Sequence, residues 1–296
     1  MTRRAALGRL SASSLLALGL WPGVLRAGDG NDSGSFRFVV LNDLHYLGPE
    51  CGRWLEKVTR QIKGHEGVEL CLVAGDLTEY GRLEDFAAVR DIFGGLGIPL
   101  HVVVGNHDYL AEKLPSPPPV KPSPQALAPK DERNQPPANP GKYDRRAYDQ
   151  FFPRRVNYYF KHRGWQFVGL DTTQGLPYDK TQIQPETLQW VDDNLPRLSK
   201  TLPTVLFTHF PLGANVRYRP ANAEELLARF QPCNLQAVFC GHWHGFTERQ
   251  LGRAVLTTNR CCALKRGNHD GTKEKGYFLC AAASGQITRE FCRVES

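Results

Sequence analysis

The sequence predicts an α/β protein with a largely parallel sheet. Three observations carry that expectation. Short apolar runs alternate with segments of helical hydrophobic spacing, the loops between most of them are short, and polar clusters recur where the apolar runs end. With 296 residues, 41% hydrophobic and 23% charged, the chain can build one large core.

The first element follows a polar linker (28–35): "FRFVVLND", a short apolar run that reads as a buried strand. "CGRWLEKVTRQIKG" follows with Trp54, Leu55, Val58 and Ile62 at helical spacing. "VELCLVAGD" is a second strand, and "LEDFAAVRDIFGGLG" a helix that runs out in glycines. "IPLHVVVGNHD" is a third strand. Residues 113–141 break this order. They form a proline-rich insertion, "KLPSPPPVKPSP" onward, unable to make a helix or a sheet interior. Order resumes at "YDRRAYDQFF", followed by strands "VNYYF" and "WQFVGLDTT", a helix near "PETLQWVDDNL", strand "PTVLFTHF", helix "AEELLARF" and strand "LQAVFCGH". The tail alternates short strands and turns up to "ITREFCRV".

The formal charge of +7 invites a nucleic-acid or membrane partner. More than half of it comes from Arg3, Arg4, Arg9 and Arg26, in a first segment (1–27) without acids. That segment has a basic start and a modestly apolar stretch, as secretory signals do, and Arg3-Arg4 resembles a twin-arginine export signal. The expected location is therefore outside the cytoplasm, in a bacterial periplasm. No membrane span beyond the leader and no nucleic-acid-binding module is expected, and the sequence leaves the oligomeric state open. The eight cysteines contain no CxxC pair, so a zinc-knuckle reading has no support. Cys71 and Cys240 sit inside apolar runs and read as small buried hydrophobes.

The polar clusters carry the chemistry. The apolar runs end at Asn42-Asp43-Leu44-His45, Gly75-Asp76, Gly105-Asn106-His107-Asp108, Thr208-His209 and Gly241-His242-Trp243-His244. Ligands of open α/β sheets bind beyond the carboxyl ends of the strands, so these distant segments can surround one point. Five of the nine histidines lie in them. Asp, Asn and His offer oxygen and nitrogen donors suited to Fe, Mn, Zn or similar divalent ions. The spacing of Asp43 with His45, and of His242 with His244, is expected to put each pair on one side of an extended chain. Glycines at 75, 105 and 241 are expected to let the backbone approach the ions closely.

"DLH", "GDLTEYGRLEDF", "IPLHVVVGNHD", "FTHFP" and "GHWH" resemble, in order and spacing, the calcineurin-like metallophosphoesterase superfamily. The branch is similar to bacterial cyclic-nucleotide phosphodiesterases and purple-acid-phosphatase-like phosphohydrolases. The resemblance runs from about Phe36 to at least Gly245, within an expected domain of 36–296. It implies a sandwich of two mixed β-sheets flanked by helices, and a hydrolase of small phosphate mono- or diesters with two divalent metal ions. Asp43, His45 and His244 would bind one ion, Asp76 would bridge, and Asn106, His209 and His242 would complete the second. The family chemistry implies a metal-bridging hydroxide as nucleophile and His107 as general acid and phosphate contact. Asp108 would hold the His107 ring through a carboxylate–imidazole hydrogen bond. Tyr80 stands four residues after Asp76, whereas purple acid phosphatases place a tyrosine three after, so a tyrosinate–iron site is disfavoured.

The competing readings are a non-catalytic metal-binding scaffold on the same fold and a mononuclear zinc peptidase. The intact blocks oppose the first, and the absence of HExxH opposes the second. The tetrapeptide "GNHD" recurs at Gly267-Asn268-His269-Asp270, after every metal position is filled, and reads as a polar turn at the rim. Among the remaining polar residues, His101 reads as structural, His65 and His162 as solvated turn residues, and Asp171 as a turn former. Tyr46 and Tyr109 read equally as pocket or packing residues.

Overall fold

Helix α1 (Pro49–Lys63) shows how local sequence sets the elements. Proline and Glu50 open its first turn, Arg60 and Lys63 close its last, and Trp54, Leu55, Val58 and Ile62 form the buried face. The computed structural model describes residues 34–110 and 144–295. The expected leader and proline-rich insertion, and most of the expected linker, lie outside the described residues.

Strands β1 (Phe36–Leu41), β2 (Val68–Ala74) and β3 (Leu100–Val103) run parallel, with α1 and α2 (Leu83–Gly94) as crossovers. After α3 (Arg146–Phe151), β4 (Tyr158–His162) and β5 (Trp165–Leu170) form a hairpin. Helix α4 (Pro185–Asn194), β6 (Pro203–Thr208), α5 (Ala223–Arg229) and β7 (Asn234–Cys240) follow. Two further hairpins end the chain: β8 (Thr247–Leu251) with β9 (Ala254–Thr258), and β10 (Gly276–Ala283) with β11 (Gln286–Arg293).

These strands make two mixed sheets rather than one parallel sheet. The first has the order β11-β10-β1-β2-β3 and the second β4-β5-β6-β7-β9-β8. Parallel strands fill the middle of the second sheet, and β4 and β8 are its antiparallel edges. Strands β5 and β6 are buried at every position, as expected of strands covered on both faces. The sheets face each other through an aromatic layer that includes Phe38, Phe167, Phe207 and Phe239. Phe38 meets the Phe167 ring edge to face at 5.7 Å. Helices α1, α2 and α3 cover the outer face of the first sheet, and α4 and α5 that of the second.

Cys71 and Cys240 are fully buried, and all eight cysteines are free. Among the described residues, no helix is long and apolar enough to cross a membrane. His162 departs from its expected place. It lies within β4, its Nε2 2.7 Å from Glu69 Oε2, because the hairpin turn falls on the next two residues, Arg163 and Gly164. His65 also has a partner, the Tyr277 hydroxyl at 2.8 Å. His101 is buried in β3 and stacked on Phe160 at 3.5 Å.

The excursion that contains the proline-rich segment begins and ends at one place. Leu110 and Asp144 pair antiparallel, with Leu110 N donating to Asp144 O at 2.8 Å. Beside that pair, Asp171 accepts from the Tyr109 hydroxyl at 3.2 Å and lies 3.3 Å from the Arg145 guanidinium, while its other oxygen closes a turn onto Thr173.

Candidate metal centre

The carboxyl ends of β1, β2, β3, β6 and β7 bring their polar clusters to one edge of the sandwich. Asp76 lies at the middle of the donors. Its Oδ2 is 3.5 Å from His45 Nε2, and its Oδ1 is 3.3 Å from His209 Nε2. Around the first oxygen, His244 Nε2 lies 3.2 Å from His45 Nε2 and 3.2 Å from Asp43 Oδ1. Around the second, His209 Nε2 lies 3.2 Å from His242 Nδ1 and 3.0 Å from Asn106 Oδ1. Two groups of potential ligands result, Asp43-His45-Asp76-His244 and Asp76-His209-His242, with Asn106 against the second. All seven residues are buried.

The backbone pays for this convergence. Asp43, His45, Asp76, His242 and His244 all adopt left-handed φ, between 43° and 65°. The pairs Asp43/His45 and His242/His244 are therefore not alternating members of an extended chain. Each reaches the site through two left-handed residues flanking one other, at a cost on the order of 1–3 kcal/mol per residue. Such strain is found where surrounding structure holds it for function. Here the Asp76 carbonyl accepts from both Leu44 N and His45 N, at 2.8 and 2.9 Å.

Glycines permit the close approach of the segments. A Cβ on Gly105 would stand 2.2 Å from Asp76 N, and one on Gly75 would stand 2.5 Å from the His209 ring. No side chain fits at either position.

The far nitrogen of every clustered histidine faces an oxygen. His209 Nδ1 donates to Ala74 O at 3.0 Å, His242 Nε2 to Tyr178 O at 2.8 Å, and His244 Nδ1 to Gly267 O at 3.2 Å. His45 Nδ1 lies 3.0 Å from Glu79 Oε2. For His209, His242 and His244 this arrangement fixes ring orientation and directs the other ring nitrogen inward, as metal-binding histidines require.

Charge within the cluster points to cations. Burial works to raise the Asp43 and Asp76 carboxyls, but adjacent histidines override it and hold both well below the usual range. Burial also opposes a charge on His209, yet Asp76 pushes it up to about 9; Asp43 likewise raises His244. His45 is lowered by burial, and His242 falls to about 3 through burial and the neighbouring His209. Each facing pair of ring nitrogens thus needs positive charge between its lone pairs, supplied by a proton or by a metal ion. Nitrogen and carboxylate donors with no thiolate suit divalent first-row ions.

His107 is the middle residue of the short turn Asn106–Asp108 at the cluster. Its Nδ1 donates to Glu79 O at 3.0 Å, and its ring lies 4.7 Å from the His45 ring, leaving Nε2 for the cleft. Asp108 does not hold this ring. Its two oxygens accept from Thr78 N at 3.0 Å and Gly105 N at 2.9 Å, so the carboxyl locks the turn that carries His107. Burial and the nearby Asp76 push that carboxyl up to about 7.

Sequence reasoning missed Glu79, three residues after Asp76. It touches His45, lies 3.7 Å from His107 Nδ1, and is clasped by Arg266, with Nε–Oε2 at 3.0 Å. Burial opposes its charge, but His45 and Arg266 hold it down to about 2. His45, Glu79 and His107 also group closely enough to hold an ion. Arg266 already neutralises that carboxylate, which accounts for its charge without one.

The second GNHD is a rim loop. Gly267 supplies the carbonyl for His244, Asn268 and Asp270 bond within or beside the loop, and the His269 ring stacks on Trp243 at 5.1 Å. Tyr80 and Tyr109 line the cleft, while Tyr46 is packed in the core.

Comparison with known proteins agrees with this geometry. A family model described as calcineurin-like phosphoesterase matches residues 36–246. The chain is 27% identical over 215 residues to the glycerophosphodiester phosphodiesterase GpdQ of Enterobacter lignolyticus (strain SCF1), covering 68% of this chain. The match spans 65% of that relative's length. Among solved structures, purple acid phosphatase PPD1 from yellow lupin (Lupinus luteus) seeds superposes with a TM-score of 0.58 at 12% identity, over 89% of this chain and 52% of the other. GAP50, the anchor in the inner membrane complex of Plasmodium, gives 0.56 at 14% identity, over 88% and 85%. Likeness at these identities speaks for the fold alone.

Proposed function

The chain belongs to the calcineurin-like phosphoesterase family, and on that premise we propose that it is a metal-dependent hydrolase of phosphate mono- or diesters. The observation that carries the reading is the division of Asp76, one carboxylate oxygen to each of two donor groups. Asp43, His45, Asp76 and His244 would hold one ion, and Asp76, Asn106, His209 and His242 the other. When bound, two such ions polarise a phosphoryl oxygen and lower the pKa of water, which suits them to in-line displacement at phosphorus.

The chain's own groups supply the rest. His107 faces the cleft with Nε2, where it can contact the phosphoryl group or return a proton to the leaving oxygen. Because the Glu79 carbonyl holds Nδ1–H, Nε2 presents a lone pair that can take up a proton and, as the imidazolium, deliver it to the leaving oxygen, and Asp108 keeps the turn rigid. Water adds to phosphorus, the ester P–O bond breaks, and the leaving alcohol takes up a proton. A diester reading gains support from the activity named for the GpdQ relative.

The test is a hydrolysis screen of metal-loaded protein against phosphomonoesters, diesters, cyclic nucleotides and phospholipid headgroups. Turnover of at least one class is expected, abolished by chelation and restored by a divalent ion. Fully loaded protein inert to every class would contradict the reading.

A further inference from the structure

The phosphoester-hydrolase reading leaves the organic part of the substrate open, and the cleft wall speaks to it. The cleft encloses about 450 Å³, in the range of small-molecule sites and more than a phosphoryl group alone fills. The donors account for one part of its lining. Tyr178 and Tyr218 stand beside them.

Tyr178 is 61% exposed, the most exposed of the large apolar side chains among the described residues. Its backbone is nevertheless fixed, because its carbonyl receives the His242 ring hydrogen bond. Its ring lies 6.1 Å from that of Tyr218 at 72°. Tyr218 in turn sits 5.2 Å from the ring of His242, one of the donors, and meets it edge to face. It is held at a left-handed φ of 65°, an outlier for a bulky residue. Strain of this kind collects at ligand clamps, and glycine or asparagine would relieve it. Beyond Tyr218, at 6.1 Å, is the His269 ring. Arg217 covers Tyr218 with its guanidinium at 4.8 Å, adding positive charge near an anionic substrate.

We propose that Tyr178 and Tyr218 form an L-shaped aromatic platform that receives a planar π-rich group, stacked on one ring and edge-on to the other, so that the preferred phosphate esters carry a nucleoside or comparable aromatic group rather than a glyceryl or alkyl one. Aromatic faces accept such groups by stacking, while a small polyol buries little area on them.

Thymidine 5′-phosphate and glycerol 3-phosphate test this, each assayed as monoester and as methyl diester. Both are esters of primary alcohols, so their intrinsic reactivities are matched. Wild-type protein should favour the thymidine member of the active pair by at least about tenfold in kcat/KM, mostly through KM, since alanine scanning puts base–aromatic stacking near that value. Tyr178→Ala should remove most of the preference and Tyr178→Phe should retain it. Tyr218→Ala is expected to behave as Tyr178→Ala does, and the exposed Tyr178 keeps the test valid if Tyr218→Ala misfolds. Equal kcat/KM for the two substrates, or an unchanged ratio in Tyr178→Ala, would overturn the platform alone. Turnover of neither substrate would overturn it if the hydrolysis screen finds only esters without an aromatic group active, would move the Tyr178→Ala comparison to cyclic nucleotides if those are the active class, and would overturn the hydrolase reading too if the screen finds none.

Discussion

Replacing His107 with alanine is expected to lower kcat by about 10²–10⁴-fold, the usual range for loss of a general acid. Metal content should be unchanged, because His107 belongs to neither of the two donor groups that share Asp76. Its ring stands at the cleft with Nδ1 committed to the Glu79 carbonyl, so its action is through Nε2 on the substrate. The loss should shrink for nitrophenyl esters, whose leaving group needs little protonation. His269→Ala provides the internal comparison between the two GNHD copies. Its ring is a stacked rim group outside both donor groups, and its loss should change kcat by less than about threefold, since such changes seldom exceed ~0.5 kcal/mol. Steady-state kinetics with metal content measured on the same samples decides the matter. A larger kcat loss in His269→Ala than in His107→Ala, at equal loading, would reverse the roles assigned to the two copies.

The second large effect is expected at Asp76. Asp76→Asn keeps an oxygen able to accept from His107 N, which donates to Asp76 Oδ1 at 2.9 Å, so the turn should survive. It removes the negative charge and one of the two oxygens, and both donor groups lose their common member. Changes outside the ligand sphere already cost 10–100-fold in metal affinity, so loss of this carboxylate should cost more than about 100-fold at both positions. His242→Ala should deplete only the second group. Metal analysis after equilibrium dialysis separates these cases. Two tightly held ions in folded Asp76→Asn would show that the carboxylate is not shared.

Much of this was legible in the sequence, and the exceptions have physical reasons. The strands and their polar ends stood out because apolar runs stop abruptly at Asp43, Asp76, Asn106, His209 and His242. The division into two sheets did not, since β5 and β6, buried on both faces, read the same in either architecture. Spacing placed Asp43 and His45 together but could not show that left-handed turns, not an extended chain, bring them there. The partner of the His107 ring was misassigned to Asp108 because adjacency in sequence is no guide to where a buried carboxylate points. The true partner is a backbone carbonyl, as are those of His209, His242 and His244. Carbonyls leave no mark in a sequence. Glu79 and Arg266 meet only because the segment before the rim loop folds back over the loop that follows Asp76.

The most direct test of a shared two-ion centre is the metal content of the purified protein, titrated against activity. Protein stripped of metal is reloaded in steps, and bound ions per chain and turnover are measured at each step by elemental analysis and steady-state assay. Two ions per chain at saturation, with full activity appearing only as the second binds, is the result expected from Asp76 standing between two donor groups. Full activity at one ion per chain, or with none, would contradict it.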